Sequence, residues 1–277
     1  MSTIIAALDN SVAARPVLST SVSLARLLDA DVEAVHVKTD GADVVRRAVE
    51  TAELPLRMLK GPVRTALLQA SQAEDVTALV LGARGTPVGR RLLGSTALAV
   101  AASLPKPIVV VPPDLRPPES LRRALVPLEG AVSTSVTPRA IVKLARDTAL
   151  DVVVLHVLEA DSLPAFTDQP QHEQAAWARE FVRRYCPWGI GAVALETRVG
   201  NAEELVPAVA REEAVDLIAI GWSQELEPGR APIVRATLAR AGVPVMLVPV
   251  AIGGSPSLGF DDPQEGLAEV VGSGSTA

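Results

Sequence analysis

Along this chain, short runs of Val, Ile, Leu and Ala alternate with longer stretches in which apolar residues recur every three or four positions. The short runs predict buried strands near 3–8, 32–37, 54–60, 77–82 and 107–112. The longer stretches predict helices near 11–28, 41–53, 62–74 and 95–104. Strand, helix, strand in regular alternation implies right-handed crossovers and a parallel sheet covered by helices on both faces. A doubly wound unit of this size is expected to order its strands 3-2-1-4-5. A second set of strands follows near 123–128, 151–157, 192–198, 215–220 and 244–249.

The two sets are copies of one another. IIAALDNSVAARPVLSTSVSLARLLDADVEAVHV aligns with RALVPLEGAVSTSVTPRAIVKLARDTALDVVVLHV at an offset of 120, which pairs Leu8 with Leu128, Asp9 with Glu129 and His36 with His156. KGPVRTALLQASQAEDVTALVLG aligns with VGNAEELVPAVAREEAVDLIAIG at an offset of 139, pairing Gly61 with Gly200 and Gly82 with Gly221. The chain is a tandem duplication, with a first domain over 1–115 and a second over 120–250. PPDLRPPES joins them, since proline fixes φ and suits neither a helix interior nor a central strand. Residues 251–277 form a Gly/Ser/Pro-rich acidic tail with little to bury, and disorder is expected there.

Composition narrows the class. Hydrophobic residues make up 48% of the chain and aromatics only 3%, so the core is built from Ala, Val, Leu and Ile, as in parallel sheets buried on both faces. The single cysteine, Cys186, allows no internal disulfide and fits a reducing, cytoplasmic setting. No secretory signal is visible, and no apolar run reaches the roughly 18 residues of a membrane helix. A net charge of −6 argues against a general nucleic-acid binder. Through Arg116 there are 13 basic against 11 acidic residues, whereas the remainder holds 13 against 21. An anion site therefore belongs to the first half.

Candidate chemistry lies there, in LGARGTPVGRRLLGST from Leu81. With strand order 3-2-1-4-5, ligands bind beyond the carboxyl ends of the first and fourth strands, where Asp9 and Gly82 face each other. Gly82 and Gly85, flanking Ala83 and Arg84, would turn the loop tightly and bring backbone N–H groups to a ligand with no Cβ in the way. Gly94, Ser95 and Thr96 open a helix whose free N–H groups and positive dipole end suit an anion. Arg84, Arg90 and Arg91 add charge, and Asp9 can accept from ribose hydroxyls or cap the helix that follows it. This combination describes a nucleotide pocket.

The segments ALDNS, AVHV, KGPVRTALLQAS and LGARG…RRLLGST resemble the universal stress protein family in a tandem two-domain form, over nearly all of the chain to about Val250. The resemblance implies two flavodoxin-like, Rossmann-like α/β domains, each with a five-stranded parallel sheet. It implies a cytoplasmic, bacterial, stress-response protein that binds ATP or a related adenine nucleotide, with or without Mg2+. In the family's ATP-binding branch the motif is Gly-x2-Gly-x9-Gly-Ser/Thr. Gly82, Gly85, Gly94 and Ser95 match it, with a second gap of eight residues in place of nine. By the same resemblance Ala7, Leu8, Asp9 and Val37 contact ribose and adenine, and Arg84, Ser95 and Thr96 lie near the phosphates. Ala97 stands where some nucleotide-binding relatives carry a hydroxyl. The two domains are expected to pack as an intrachain pseudo-dimer, and a homodimer is open.

The second copy departs from the motif. Its loop reads IGWSQELEPGRAPIVRATLARAG, with Trp222, Glu225 and Glu227 crowding the turn and no Gly-Ser before the next helix, so this copy is expected to have lost the site. GWSQE fails as a nucleophile elbow because Glu225 replaces the required second glycine. His36, His156 and His172 are too dispersed for a metal cluster, and the first two are read as structural. With no evident base, nucleophile or metal cage, at most weak ATP hydrolysis is expected. Two rival readings are an interaction or scaffold module without nucleotide, and a slow ATPase. Trp177, Phe181 and Tyr185 fall four apart in one helical stripe, read as a core face of the second unit or a contact with another unit.

Overall fold

The structure is a computed structural model that describes residues 2–37, 42–83, 95–116, 119–128, 150–158, 176, 180, 193–225 and 231–249. The acidic tail, the Trp177–Tyr185 stripe, Cys186 and His172 lie outside the described residues. In the first half the chain runs β1 (Ser2–Leu8), α1 (Ala14–Leu28), β2 (Ala30–Val37), α2 (Asp43–Thr51), β3 (Leu56–Leu59), α3 (Val63–Ser71), β4 (Val76–Gly82), α4 (Ser95–Ala101) and β5 (Ile108–Val111). The second half contributes β6 (Arg123–Pro127), β7 (Asp151–Leu158), β8 (Val193–Val199), α5 (Ala202–Glu212), β9 (Leu217–Trp222), α6 (Pro232–Arg240) and β10 (Val245–Pro249).

Ten strands form one sheet in the order β3-β2-β1-β4-β5-β10-β9-β6-β7-β8. Each half has the order 3-2-1-4-5 expected from its sequence, and pairing within each half is parallel. The halves meet edge to edge. β5 and β10 pair antiparallel, with Ile108 opposite Leu247, Val109 opposite Met246 and Val110 opposite Val245. Because side chains alternate across a strand, Val109 and Met246 join the apolar layer on one face, and Ile108, Val110, Val245 and Leu247 join the layer on the other. Both layers therefore run across the seam. Helix α1 packs over the first face through Ala14, Val17, Leu18 and Leu24, whereas α3, α4, α5 and α6 supply the second.

The duplication is visible in the backbone. Gly61 and Gly200, aligned in sequence, both adopt positive φ, at 101° and 140°. Each precedes a helix by one or two residues, at a turn that an L side chain enters only with strain. His36 donates from Nδ1 to the carbonyl of Leu8 at 2.8 Å, and His156 makes the same bond to Leu128 at 2.8 Å. Both histidines are buried and tie the carboxyl end of one strand to its neighbour, the structural role read from their positions.

Helix starts and ends follow local chemistry. α1 begins at Ala14, later than the apolar periodicity suggested, because residues 9–13 form a tight turn held by Asp9 and Ser11. It ends at Asp29, whose left-handed φ of 50° turns the chain into β2. Beyond α3, Lys106 Nζ donates to the carbonyls of Ala73 and Val76 at 2.6 and 2.7 Å. Partial burial pulls this ammonium below the usual lysine pKa, against the opposing pull of Asp75 and Glu74.

The second half is clipped to the linker by Asp216. Its Oδ2 accepts from the backbone N–H groups of Arg122 and Arg123 at 2.8 and 3.0 Å, fixing the start of β6 beside β9. Asp216→Ala leaves both donors without that acceptor. We expect a loss of about 1–3 kcal/mol, read as a lower urea midpoint at unchanged slope.

Candidate functional site

β1 lies between β2 and β4. The chain leaving β1 enters α1 on one face of the sheet, and the chain leaving β4 continues toward α4 on the other. The carboxyl ends of β1 and β4 therefore part, and a crevice opens between them. A cleft of about 530 Å3 occupies this point. Ala7, Leu8 and Asp9 line it from β1, His36 and Val37 from β2, and Leu81, Gly82 and Ala83 from β4. Thr96 and Ala97 close one side from α4, and Val63 and Leu67 do so from α3. The turn Asn10–Ala13 and Pro113 complete the rim.

Seven of the residues singled out from sequence thus line one cavity: Ala7, Leu8, Asp9, Val37, Gly82, Ala83 and Thr96. Ser95 is the first residue of α4. Arg84, Gly85 and Gly94, with Arg90 and Arg91, lie outside the described residues. Val63, Leu67 and Pro113 were missed. The signal for the first two was present, since residues four apart in VRTALLQAS share one helix face.

Two residues sit in local structure that differs from one of the expectations for them. Gly82 is not a turn glycine: it is the last residue of β4, pairs with Val111, and has no positive φ. A Cβ there would stand 3.1 Å from the Cβ of Ala13 and 3.6 Å from Cγ2 of Val17. The first turn of α1 comes too close for a side chain, so the glycine serves the packing of α1 on β4. Asp9 does not cap a helix starting near Ser11. Its Oδ1 accepts from the N–H of Ser11 at 3.1 Å and from the Ser11 hydroxyl, while Ser11 Oγ accepts from the N–H of Ala13 at 3.1 Å. This side-chain turn presents Asp9 at the rim, and both of its bonds fall on Oδ1.

The cleft has an apolar floor and a polar rim. Val37, Leu67, Leu81 and Ala83 are buried, while Asp9 and Thr96 are exposed. His36 is buried, and with Nδ1–H donated to Leu8 its Nε2 has no partner among the described residues. No group of three or more His, Cys, Asp or Glu side chains among the described residues could hold a metal ion.

The matching position of the second half is filled. Trp222 aligns with Ala83, is only 5% exposed, and belongs to the apolar layer that also contains Val234 and Leu238 of α6. An indole thus stands where the first half has a cleft-lining methyl. Glu225 follows within the described residues; Glu129 and Glu227 lie outside them.

Comparison with known proteins is consistent with this architecture. The family model described as the universal stress protein family matches residues 45–112 and 120–249. The fold is similar to that of a universal stress protein from Archaeoglobus fulgidus DSM 4304, at 16% identity over 90% of this chain and 98% of that one, with a TM-score of 0.65. It is equally similar to a functionally unknown protein from Pseudomonas aeruginosa PAO1, at 12% identity over 90% and 92%, TM-score 0.65. A universal stress protein in complex with cAMP aligns over 47% of this chain and 98% of its own, at 16% identity and a TM-score of 0.38. No curated protein matches the chain.

The contact of Gly82 with α1 is testable alone. Gly82→Ala forces Ala13 to give by a few tenths of an ångström, and we expect a loss of about 1–2 kcal/mol by urea unfolding. A variant as stable as the parent would show that α1 has room to move.

Proposed function

The chain belongs to the universal stress protein family, and from that premise we propose that it binds an adenine nucleotide, ATP or a close relative, in the cleft of its first half. The observation that carries this reading is convergence. Residues far apart in sequence, from Ala7 to Thr96, line one cleft of about 530 Å3 at the crossover of the sheet. Val37, Leu67 and Leu81 offer an apolar slot for a base. Asp9, with Oδ1 held in its turn, offers Oδ2 to ribose hydroxyls. Thr96 lines the side from which α4 would meet the phosphates, and Ser95 with the glycine- and arginine-rich sequence before it would supply the remaining phosphate contacts. Mg2+ would accompany the phosphates as part of the ligand.

The role is regulatory. The groups offered are methyls, hydroxyls, one carboxylate and an imidazole whose Nδ1 is already committed, a set suited to holding a ligand. We read 1–115 and 120–250 as the two domains and 251–277 as a tail. The antiparallel β5–β10 seam supports reading the domains as an intrachain pseudo-dimer; a cytoplasmic setting is proposed from the family resemblance and the single cysteine. No described helix is long and apolar enough to cross a membrane.

Titration calorimetry of the full chain with ATP should return one site. Ala83→Trp, which copies Trp222 into the first half, should abolish binding while circular dichroism stays close to the parent's, and because Ala83 is buried the urea midpoint should fall by the equivalent of about 1–3 kcal/mol. Two equivalent sites per chain, or undiminished binding by Ala83→Trp, would overturn the assignment. No binding by the parent would favour an interaction module instead, the reading to which Ala97 and the shortened glycine spacing point.

A further inference from the structure

The second half's departed loop has acquired a different contact. Counting from the aligned pair Gly82 and Gly221, Gln224 takes the place of Gly85. Its backbone is left-handed, with φ of 63°, a conformation glycine adopts freely and glutamine only with strain. Its side chain crosses the seam. Nε2 donates to the carbonyl of Ala101 at 3.1 Å and to that of Leu104 at 2.7 Å, both at the C-terminal end of α4 in the first half.

The carbonyls of that helix end account for one another. The last four of any α-helix have no intrahelical partner. Here the Leu98 carbonyl accepts from Ala102 N, the Ala99 carbonyl from the Ser103 hydroxyl, and the Val100 carbonyl from Ser103 N and Leu104 N. The fourth, Ala101, is taken by Gln224. Topology makes this reach possible: with β5 and β10 antiparallel, the carboxyl end of β9 lies at the end of the sheet where α4 finishes. The opposite end of α4 carries Thr96 and Ala97, which line the cleft about 7 Å away along the helix.

We propose that Gln224 is a positioning residue: the second half's former ligand loop clamps the end of α4 and so fixes one wall of the cleft in the first half. The coupling to ligand rests on the nucleotide reading above; the clamp itself does not.

Two variants of the full chain separate the amide from the backbone strain. Gln224→Gly removes the donors and relieves the left-handed φ; Gln224→Met removes the donors and keeps both length and strain. In both, hydrogen exchange of backbone amides over residues 98–104 should accelerate by about tenfold or more, and ATP affinity should fall by about fivefold. In Gln224→Gly the urea midpoint should not fall, so weaker binding there cannot be ascribed to a less stable fold. Unchanged exchange in α4 would overturn the clamp. Faster exchange with unchanged ATP affinity would overturn its effect on the cleft. A parent chain that does not bind ATP would refute the nucleotide reading, and the clamp would then be decided by the exchange measurement alone.

Discussion

Pairing of β5 with β10 is the constraint on which the rest of the molecule depends. An open parallel sheet ends in strands whose backbone N–H and C=O groups lack partners on one side, and such edges invite association. Here the two inner edges satisfy one another through Ile108–Val110 and Val245–Leu247. The antiparallel sense of this pairing follows through to everything else. It sends the carboxyl ends of the two sets of strands to opposite ends of the sheet. It also brings α3, α4, α5 and α6 onto one face, in a single apolar layer. Each half's ligand end then lies beside the far ends of the other half's elements.

This geometry explains how the copies have come to differ. In the first half, the position after β4 is Ala83, small enough to leave a cleft. In the second, Trp222 stands at the matching position, and its buried Nε1 has no hydrogen-bond partner among the described residues. An orphaned donor of that kind costs about 1–3 kcal/mol, offset by the large apolar area of the ring. Two residues on, a left-handed glutamine adds strain that its two hydrogen bonds across the seam offset in turn. The side chains of this loop go into packing and into hydrogen bonds with the neighbouring half.

Much of this was legible in the sequence. The strands showed as short β-branched runs, and the strand order followed from the alternation with helices. That Asp9 and Gly82 share one crevice followed from the rule that doubly wound sheets open at the crossover, whereas Ala7, Leu8 and Val37 came from the family resemblance. What stayed hidden depends on distances between elements far apart in the chain. Nothing near Gly82 announces that α1 passes 3.1 Å from its missing Cβ, and a glycine in a loop motif reads naturally as a turn residue. Nothing near Gln224 names Ala101 as its partner, because 123 residues separate them. The three-residue β5–β10 pairing is equally silent, since KPIVVVP and VPVMLVP read only as buried strands.

The duplication also sorts the residues of the first cleft by what they are for. A feature kept in both halves is one that their shared fold accounts for. The histidine bond from β2 to β1 recurs at 2.8 Å in β7, and the positive φ of Gly61 recurs at Gly200. Both belong to the scaffold, even though His36 touches the cleft. The features present in the first half alone are Asp9, Ala83, Gly85 and the Gly94-Ser95 pair, where the second half has Glu129, Trp222, Gln224 and no Gly-Ser. On the nucleotide reading, the carboxylate of Asp9 and the open wall at Ala83 are the differences that a ligand with a sugar would use.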